Sequence, residues 1–391
     1  MSLLRRSFDF STTMSPYRGA SSRAGKRRVT SGLAMSQSVI FAASNMHAAI
    51  ESLMPVDVYR VVDGVKVNVS APPILVNPSS FADGHYDTIA EWLYARRMSL
   101  QGWGNCFGEI TARDALGLPA QIQLVPAEDV RCRVSKNRIV QYQFGNTIFD
   151  DTRRVYHARG GLLPGIPVGI SPIGYAMLAI ETAAVAQEFT ANWFGNSATP
   201  GGHMKNSEER LTEKQTARIK AKFETSQESG GLLVTGKDWT FTPMQAKAAE
   251  AGFLDAMNYS DVQLCRFMNT PANVIDVALN GTATISYQNI TQKNLDFMVS
   301  RMGPNLKRTD DDLTSFIPRP RFAKLNRPAF LAMDPAATAD LMKVQIDSRT
   351  RVPSELRQLQ DMAPFTEEQY AEFDRLFGSK NQTPTPKGLP A

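Results

Sequence analysis

The segment 171-SPIGYAMLAIETAAVAQEFTANWF-194 joins a helix start signal to a long helical pattern of apolar residues. Ser171 is a preferred N-cap residue, and Pro172 is favoured at the first helical position. Apolar side chains then recur at the spacing of one helix face: Ile173, Met177, Ile180, Ala184 and Ala191. We therefore predict a helix more than ~30 Å long that ends at Gly195. Its many alanines would let neighbouring helices approach closely.

The chain before this helix mixes helices with short strands. One predicted helix starts near residue 36 and ends before Pro55, and another covers about 86–100. Strand-like patterns occur at 56-VDVYRV-61 and near 120–125, 130–133 and 138–144. This part of the chain is therefore of the α+β class.

The chain after the long helix is predicted to be mostly helical. A charged helix opened by Ser207 covers about 208–225, and a further helix covers about 245–268. Another helix starts at Ser286 and is broken at Gly303–Pro304, because proline lacks the amide hydrogen. Shorter helices follow at about 335–348 and 353–376.

Length and cysteine content limit the class of protein. A chain of 391 residues usually forms two or three domains. Its three cysteines are far apart in the sequence and form no C-x-x-C pair, which predicts a reducing compartment and no disulfide framework: Cys106, Cys132 and Cys265. We find no signal-peptide pattern and no uncharged apolar run of ~18 residues, so we expect a protein made in the cytosol.

The positive charge is concentrated at the N-terminus. Residues 1–28 carry seven basic residues against Asp9 alone, whereas the whole chain has a net charge of +5. The remainder is therefore nearly neutral. The basic segment, rich in serine, arginine and glycine, is expected to lack fixed structure. Two interpretations stay open: a solvated tail, or a tail that contacts nucleic acid or a scaffold.

Two motifs suggest an enzyme but fit poorly. From Gly231 to Lys237 the chain reads G-x-x-x-x-G-K, but Asp238 replaces the hydroxyl residue of a phosphate-binding loop. The flanking residues favour a β-hairpin that turns at Thr235, Gly236, Lys237 and Asp238. Ser171 lies in G-x-S-x-x-G, where Pro172 prevents a nucleophile elbow. A nucleotide-binding or serine-dependent enzyme remains the alternative hypothesis.

No metal or cofactor site is predicted. The four histidines are isolated from one another and from the cysteines: His47, His85, His157 and His203. The run Asp310–Asp311–Asp312 lacks the alternation of a calcium loop, which favours a solvated helix face. We therefore expect a protein that is not an enzyme.

The order of several segments resembles the portal (head–tail connector) proteins of long-tailed bacteriophages over roughly residues 34–330. The segments that carry the resemblance are AMSQSVIFAASNMHAAIESLMPVDVYR, LQGWGNCFGEI, RRVYHARG with VGISPIGYAMLAIETA, FTANWFGNSATPGGHM, LLVTGKDWTFTPM, LCRFMNTPANVI and ISYQNITQKN with RMGPNL. Two positions depart from the usual family pattern, Gln101 and the run Asn269–Ala272. They affect only the assignment to a subfamily.

The resemblance implies an α+β portal-type fold that forms a ring, mainly helical with small β elements. The implied regions are a disordered basic tail (1–33), a wing (34–170 and 287–330), two stem helices (171–197 and 243–270), a clip (198–242), a tunnel loop region (271–286), a crown (331–378) and a disordered tail (379–391). It also implies a dodecamer at one capsid vertex and a channel for DNA packaging and ejection. The implied DNA-facing loop residues are Leu279, Asn280, Gly281, Thr282, Ala283, Thr284 and Ile285.

The resemblance also implies partners and surfaces. The clip turn at 235–238 would be a docking surface for the large terminase and for head-completion or adaptor proteins. Major capsid and scaffold proteins are the other implied partners, with the virion, and the host cytoplasm during assembly, as the locations. No membrane partner is implied.

Acidic side chains on the two stem helices suit a channel wall. Glu250 and Asp261 are eleven positions apart and so lie on one stripe within ~20°. Glu181 and Glu188 add acidic charge to the other stem helix. Each phosphate that a protein neutralises raises its affinity for DNA, so a near-neutral or acidic wall would let a duplex move.

Overall fold

A computed structural model describes residues 13–14, 31–79, 88–135, 137–195, 202–206, 212–228, 239–243, 260–275, 295–327, 335–359 and 363–377. The chain divides into two compact units, 1–325 and 326–391. No helix in the described ranges is long and apolar enough to cross a membrane.

The first unit begins with helices whose ends follow from local sequence. Helices α1 (Ser31–Met35) and α2 (Ser38–Ser52) precede α3 (Ile89–Trp103). The Thr88 side chain accepts a hydrogen bond from the Glu91 amide, and Glu91 reaches back to the Thr88 amide, which forms a capping box. Gly104 ends α3 with a φ of 68°. The two predicted helices are therefore confirmed, with ends shifted by a few residues.

A three-stranded antiparallel sheet connects distant parts of the first unit. Its strands are β2 (Val56–Val62), β3 (Val65–Val69) and β12 (Arg321–Leu325), in the order β12-β2-β3. Asp63 and Gly64 both have positive φ at the tight turn between β2 and β3. Through this sheet, residues 56–60 pair with residues 321–325 at the end of the unit.

Two further antiparallel sheets pack around Phe107. In the first, β4 (Asn105–Arg113) lies between β5 (Pro119–Val125) and β9 (Val155–Arg159). In the second, the order is β1 (Thr13–Met14), β6 (Val130–Ser135), β7 (Arg138–Phe144) and β8 (Thr147–Phe149). Their shared core includes Phe107, Val130, Cys132, Tyr142, Phe149 and Val155. The predicted strands β5, β6 and β7 are confirmed, whereas β4 and β9 were not anticipated.

The predicted long helix is present but is not continuous. A short helix, α4 (Pro172–Tyr175), is followed by α5 (Met177–Gly195), with a break at Ala176. The Ser171 hydroxyl accepts the Gly174 amide at 3.0 Å, and Pro172 is at the first turn, as predicted. The predicted helix start is therefore confirmed. The prediction of one uninterrupted helix was wrong, because Ala176 is not helical.

A small strand pair and a charged helix follow α5. Strand β10 (Gly202–Asn206) pairs with β11 (Trp239–Pro243), and helix α6 spans Glu213–Glu228. The strand nature of 239–243 is confirmed, and its described neighbour is β10. The predicted turn at 235–238 and the other arm of that hairpin lie outside the described residues.

The last helices of the first unit are α7, described over 260–267, and α8 (Gly303–Thr314). A π-helical turn at Phe297–Met302 directly precedes α8, so the helix is irregular at the predicted Gly303–Pro304 position. The second unit contains α9 (Pro335–Asp347), α10 (Pro353–Leu359) and α11 (Glu367–Phe377). In that unit the Arg357 guanidinium lies 3.9 Å from the centre of the Phe365 ring.

Candidate functional site

One face of α4 and α5 is packed into the first unit. Ile180 is fully buried, and Ile173, Ala176 and Ala183 are nearly so. They pack with Val39, Ile40 and Ala43 of α2 and with Leu264, Cys265 and Met268 at α7. Small alanine side chains let these helices approach closely, as the sequence predicted. The core therefore fixes α5 and α7 side by side.

The opposite face of α5 is exposed and partly apolar. Leu178 and Val185 are 61% and 51% exposed and lie seven residues apart, which is nearly two helical turns. Thr182 lies between them, and its hydroxyl donates to the Leu178 carbonyl at 2.8 Å. Glu188 is exposed one turn further on. The helix thus presents one face to the core and another to its surroundings.

The acidic groups of these helices differ in their burial. Glu181 is buried against the core, and its Oε2 atom has no hydrogen-bond partner within the described ranges. Glu181 therefore does not face solvent, contrary to the expectation that it lines a wall. Asp261 on α7 is half-buried, and burial raises the pKa of its carboxyl group. Glu250 lies outside the described residues, as does the predicted loop 279–285.

A buried ionic cluster holds four elements of the first unit together. Arg96 and Arg97 of α3 both contact Glu51 of α2, and the Arg96 Nη1 to Glu51 Oε1 distance is 3.4 Å. The Thr309 hydroxyl of α8 donates to Glu51 Oε1 at 2.8 Å. Glu51 and Thr309 are completely buried. Water therefore does not stabilise the charges of Glu51 and of the two arginines.

The cluster extends to the C-terminal end of the unit through Asp312. Arg96 Nη2 lies 2.6 Å from Asp312 Oδ2, and the Tyr156 hydroxyl of β9 donates to the same oxygen at 2.5 Å. Burial disfavours the charged form of Arg96, but Tyr156, Asp312 and Glu51 together hold its pKa above the ordinary value. The cluster is therefore an ion-paired junction, well shielded from solvent.

The Asp310–Asp312 run is not a solvated face. Asp310 is buried and accepts the Leu325 amide of β12 at 2.8 Å, while Asp312 pairs with Arg96. Only Asp311 matches the prediction, since it forms an exposed pair with Lys307. The prediction failed because the partners of Asp310 and Asp312 lie on other elements of the fold.

The glycine-rich stretch at 102–108 lets two backbone segments approach closely. A Cβ atom on Gly104 would lie 1.8 Å from the Ile170 carbonyl oxygen, so only glycine fits there. The Asn105 side chain donates to the Gly169 carbonyl at 2.8 Å and accepts the Gly169 amide at 2.6 Å. This junction brings the end of α3 against the turn that starts α4.

The described geometry does not support the two enzyme motifs. The Ser171 hydroxyl caps α4 and also donates to the Gly102 carbonyl at 3.2 Å, so it acts as a structural group. The Gly231–Lys237 motif lies outside the described residues. However, the chain soon after Lys237 forms strand β11, whereas a phosphate-binding loop requires a helix there.

His47 and His157 are both held in the neutral form, His47 buried and His157 partly buried. His47 lies 3.0 Å from the Thr270 hydroxyl, and desolvation together with Arg97 lowers its pKa to about 3. His157 stacks on Phe107, contacts Asn105 and Tyr142, and has its pKa lowered to about 3 by desolvation. Within the described ranges, no group of three acidic, histidine or cysteine side chains could hold a metal ion.

The family model for phage portal proteins matches residues 38–361. The chain therefore belongs to the phage portal protein family, and a role in DNA packaging follows from that membership. The family resemblance inferred from the sequence is confirmed.

Individual relatives agree with this assignment. The chain is similar to the portal protein of Enterobacteria phage HK97, with 23% identity over 84% of this chain and 79% of the relative. It is also 25% identical to the probable portal protein of Streptomyces phage phiC31, over 86% of this chain and 77% of that protein.

Solved structures show the same fold at low sequence identity. An HK97-family phage portal protein from Corynebacterium diphtheriae matches 78% of this chain and 99% of its own, with 14% identity and a TM-score of 0.59. A chain in the neck of a native gene transfer agent particle, computed with C12 symmetry, matches 85% of this chain and 92% of its own, with 18% identity and a TM-score of 0.55. The α+β portal fold is thus confirmed.

Proposed function

We propose that twelve copies of this chain form a ring at one vertex of a capsid. The ring would be the channel for DNA packaging and ejection and the docking platform for the large terminase and for head-completion proteins. Membership of the portal family supports this proposal. The C12 symmetry of the related gene transfer agent neck supports the copy number.

The exposed face of α5 is the observation that carries the ring proposal. Leu178 and Val185 leave much of their apolar surface in water in the single chain. Burying such a side chain stabilises an assembly by about 1.5–3 kcal/mol relative to full exposure. A second copy packed on α5 would bury both side chains.

The regional assignments of the sequence analysis form part of the proposal. Residues 34–170 and 287–330 would form the wing, 171–197 and 243–270 the stem, 198–242 the clip and 331–378 the crown. The side-by-side packing of α5 and α7 supports a two-helix stem. The pairing of β10 with β11 supports a clip that forms a separate small element between the stem helices.

The channel surface would combine the acidic residues Glu250 and Asp261 with the loop at 279–285. A wall that attracts phosphates weakly lets the duplex slide, because few counterions are released on contact. Asp261 is half-buried on α7, which would place a carboxyl group at the edge of the stem rather than in its core. Glu250 would extend the same stripe on α7.

Imaging of the purified protein tests the ring. Electron microscopy should show rings with a central hole as wide as a duplex, and a uniform monomer under assembly conditions would refute the proposal. Leu178→Glu should abolish or weaken ring formation by placing a charge on the apolar face. Leu116→Glu is the matched control, because Leu116 is 70% exposed in a turn between β4 and β5. Equal ring yields for both variants would remove α5 as the contact face.

Packaging assays test the channel assignment. Glu250→Lys and Asp261→Lys should reduce the amount of DNA packaged while rings still form, since a basic wall would hold the duplex. Glu372→Lys on α11 makes the same charge change at an exposed residue of the second unit. Packaging that matches the Glu372→Lys control would contradict the channel role of Glu250 and Asp261.

A further inference from the structure

The outer face of the β1-β6-β7-β8 sheet carries arginine and glutamine side chains. Along β6 the burial alternates, so that Val130 and Cys132 face the core while Arg131 and Arg133 face outward. Gln143 and Gln141 lie directly opposite these arginines on β7. We call this set of four residues the sheet face. Ile148, opposite Gln143 on β8, is the large apolar residue that adjoins it.

The arginines of the sheet face have no acidic partner among the residues that the structure describes. Within the described ranges, neither Arg131 nor Arg133 forms an ion pair or a side-chain hydrogen bond, although both are exposed. Nearby, Arg153 pairs with Asp151 and Arg154 with Glu109. The two glutamine side chains are bound by the chain itself, Gln141 to Asp150 and Gln143 to the Gly145 carbonyl. The free hydrogen-bond donors of the face are therefore guanidinium groups.

The sheet lies in the most basic part of the folded chain. Residues 130–165 contain seven basic residues and two acidic ones, an excess of five that equals the net charge of the whole protein. Thr13 and Met14 pair with Arg133 and Cys132, which joins the basic N-terminal segment to the edge of this sheet. That segment contributes seven more basic residues within 1–28. Of this segment, the structure places Thr13 and Met14 beside β6.

The geometry suits the phosphate backbone of a duplex. Residues two apart on a strand are separated by about 6.8 Å, because each residue rises about 3.4 Å. Successive phosphates of one DNA strand advance about 3.4 Å along the helix axis, so β6 laid parallel to that axis would set Arg131 and Arg133 about two phosphates apart. Guanidinium groups bind phosphate oxygens with two parallel hydrogen bonds. By contrast, a stable protein interface needs an apolar centre, and the centre of this face is made of arginine and glutamine side chains.

We propose that the sheet face binds the phosphate backbone of duplex DNA without regard to sequence. This contact goes beyond the channel, because it involves β6 and β7 and not the stem helices. The choice of DNA as the ligand rests on the role of the chain as a portal protein. An acidic protein surface is the other ligand that this charge would suit, and the experiment separates the two.

Fluorescence anisotropy with a labelled random-sequence duplex tests the proposal on the full-length protein. The affinity is measured over a series of salt concentrations for the wild type and for Arg131→Gln/Arg133→Gln. Each lost phosphate contact should reduce the salt slope by about one, so we expect a reduction of about two. At about 0.1 M salt the affinity should fall by roughly 10- to 100-fold. Arg131→Lys/Arg133→Lys keeps the charge and should retain most of the affinity.

The matched control removes two arginines from another sheet. Arg60 and Arg321 are exposed and lie opposite each other on β2 and β12. Arg60→Gln/Arg321→Gln should leave the salt slope unchanged. If both double variants weaken binding equally, net charge governs the affinity, and the sheet face is not a site. If the Arg131/Arg133 variant binds DNA like the wild type but loses binding to polyglutamate, the ligand is an acidic protein, and the proposal is wrong.

The two proposals fail in different ways. A sheet-face variant that still forms rings in the electron microscope leaves the ring proposal standing, whatever its affinity for DNA. Melting temperatures within a few degrees of the wild type would show that the substitutions leave the fold intact. Loss of affinity in such a folded, ring-forming variant is the expected result.

Discussion

Substitution of Glu51 by glutamine should destabilise the first unit strongly. Glu51 is completely buried and forms ion pairs with both Arg96 and Arg97. Arg96 forms a second ion pair with Asp312, whereas Arg97 depends on Glu51. The substitution keeps the size of the side chain but removes its charge. Within the described ranges, Arg97, whose side chain is 4% exposed, would then keep only neutral side-chain acceptors, the glutamine oxygen and the Thr309 hydroxyl. A buried guanidinium without a counter-charge is the physical source of the effect.

The size of the expected loss of stability follows from the burial of both Glu51 and Arg97. Removing one member of a buried ion pair costs about 3–5 kcal/mol, because the remaining charge stays out of water. One kcal/mol shifts the melting temperature of a domain of 150–250 residues by about 2–4 °C, so we expect a fall of roughly 6–20 °C. The pair Lys307–Asp311 gives the contrast, since its side chains are 62% and 66% exposed. Asp311→Asn should change the free energy of unfolding by less than about 0.5 kcal/mol.

Thermal unfolding and hydrogen exchange measure this difference. The Glu51→Gln protein should melt well below both the wild type and Asp311→Asn, and amides in α2, α3 and α8 should exchange faster. In a double-mutant cycle, Glu51→Gln with Arg97→Gln should cost less than the sum of the single changes, because no unpaired charge remains at Arg97. A Glu51→Gln protein that melts within about 1 °C of Asp311→Asn would refute the reasoning.

Two further predictions follow from the site geometry. Gly104→Ala should lower the free energy of unfolding by several kcal/mol, because its Cβ atom would collide with the Ile170 carbonyl oxygen. Gly117 has a similar φ but open space around it, so Gly117→Ala should cost only about 1 kcal/mol. Urea unfolding of the two variants measures the difference. Stability should also fall as the pH drops from 6.5 towards 3, because His47 and His157 bind protons only when unfolded; each contributes up to about 1.4 kcal/mol per pH unit. His157→Gln should therefore show a shallower loss of melting temperature between neutral and acid pH, and an unchanged slope would contradict the assignment.

Features encoded in neighbouring residues were predictable from the sequence. The start of α4 at Ser171–Pro172 needs only a cap and a proline, and both act within one helical turn. Two local signals were missed although they were readable. Thr88 and Glu91 form a capping box that marks the start of α3. Asp63–Gly64 is a hairpin turn that would have revealed β3.

Features that depend on distant partners were not predictable. Strand β12 is five residues long, and its pairing with β2 joins residues more than 250 positions apart. Arg96 meets Asp312 across 216 positions, so no local pattern distinguishes Asp312 from its exposed neighbour Asp311. The run of three aspartates looked uniform in the sequence. The fold alone decides that two of them are structural and one is solvated.

The net charge of the chain likewise does not reveal the local charge of one surface. From the sequence the folded body is nearly neutral, which favours a channel that holds DNA weakly. Within that body, however, residues 130–165 carry an excess of five positive charges, so acidic residues elsewhere balance them. At physiological salt exposed charges interact only over about 8 Å, so each surface acts through its local charge and not through the net charge. Under the two proposals, one chain would present weakly attractive stem helices and a cationic sheet face, and Arg131→Gln/Arg133→Gln would remove the second without altering the first.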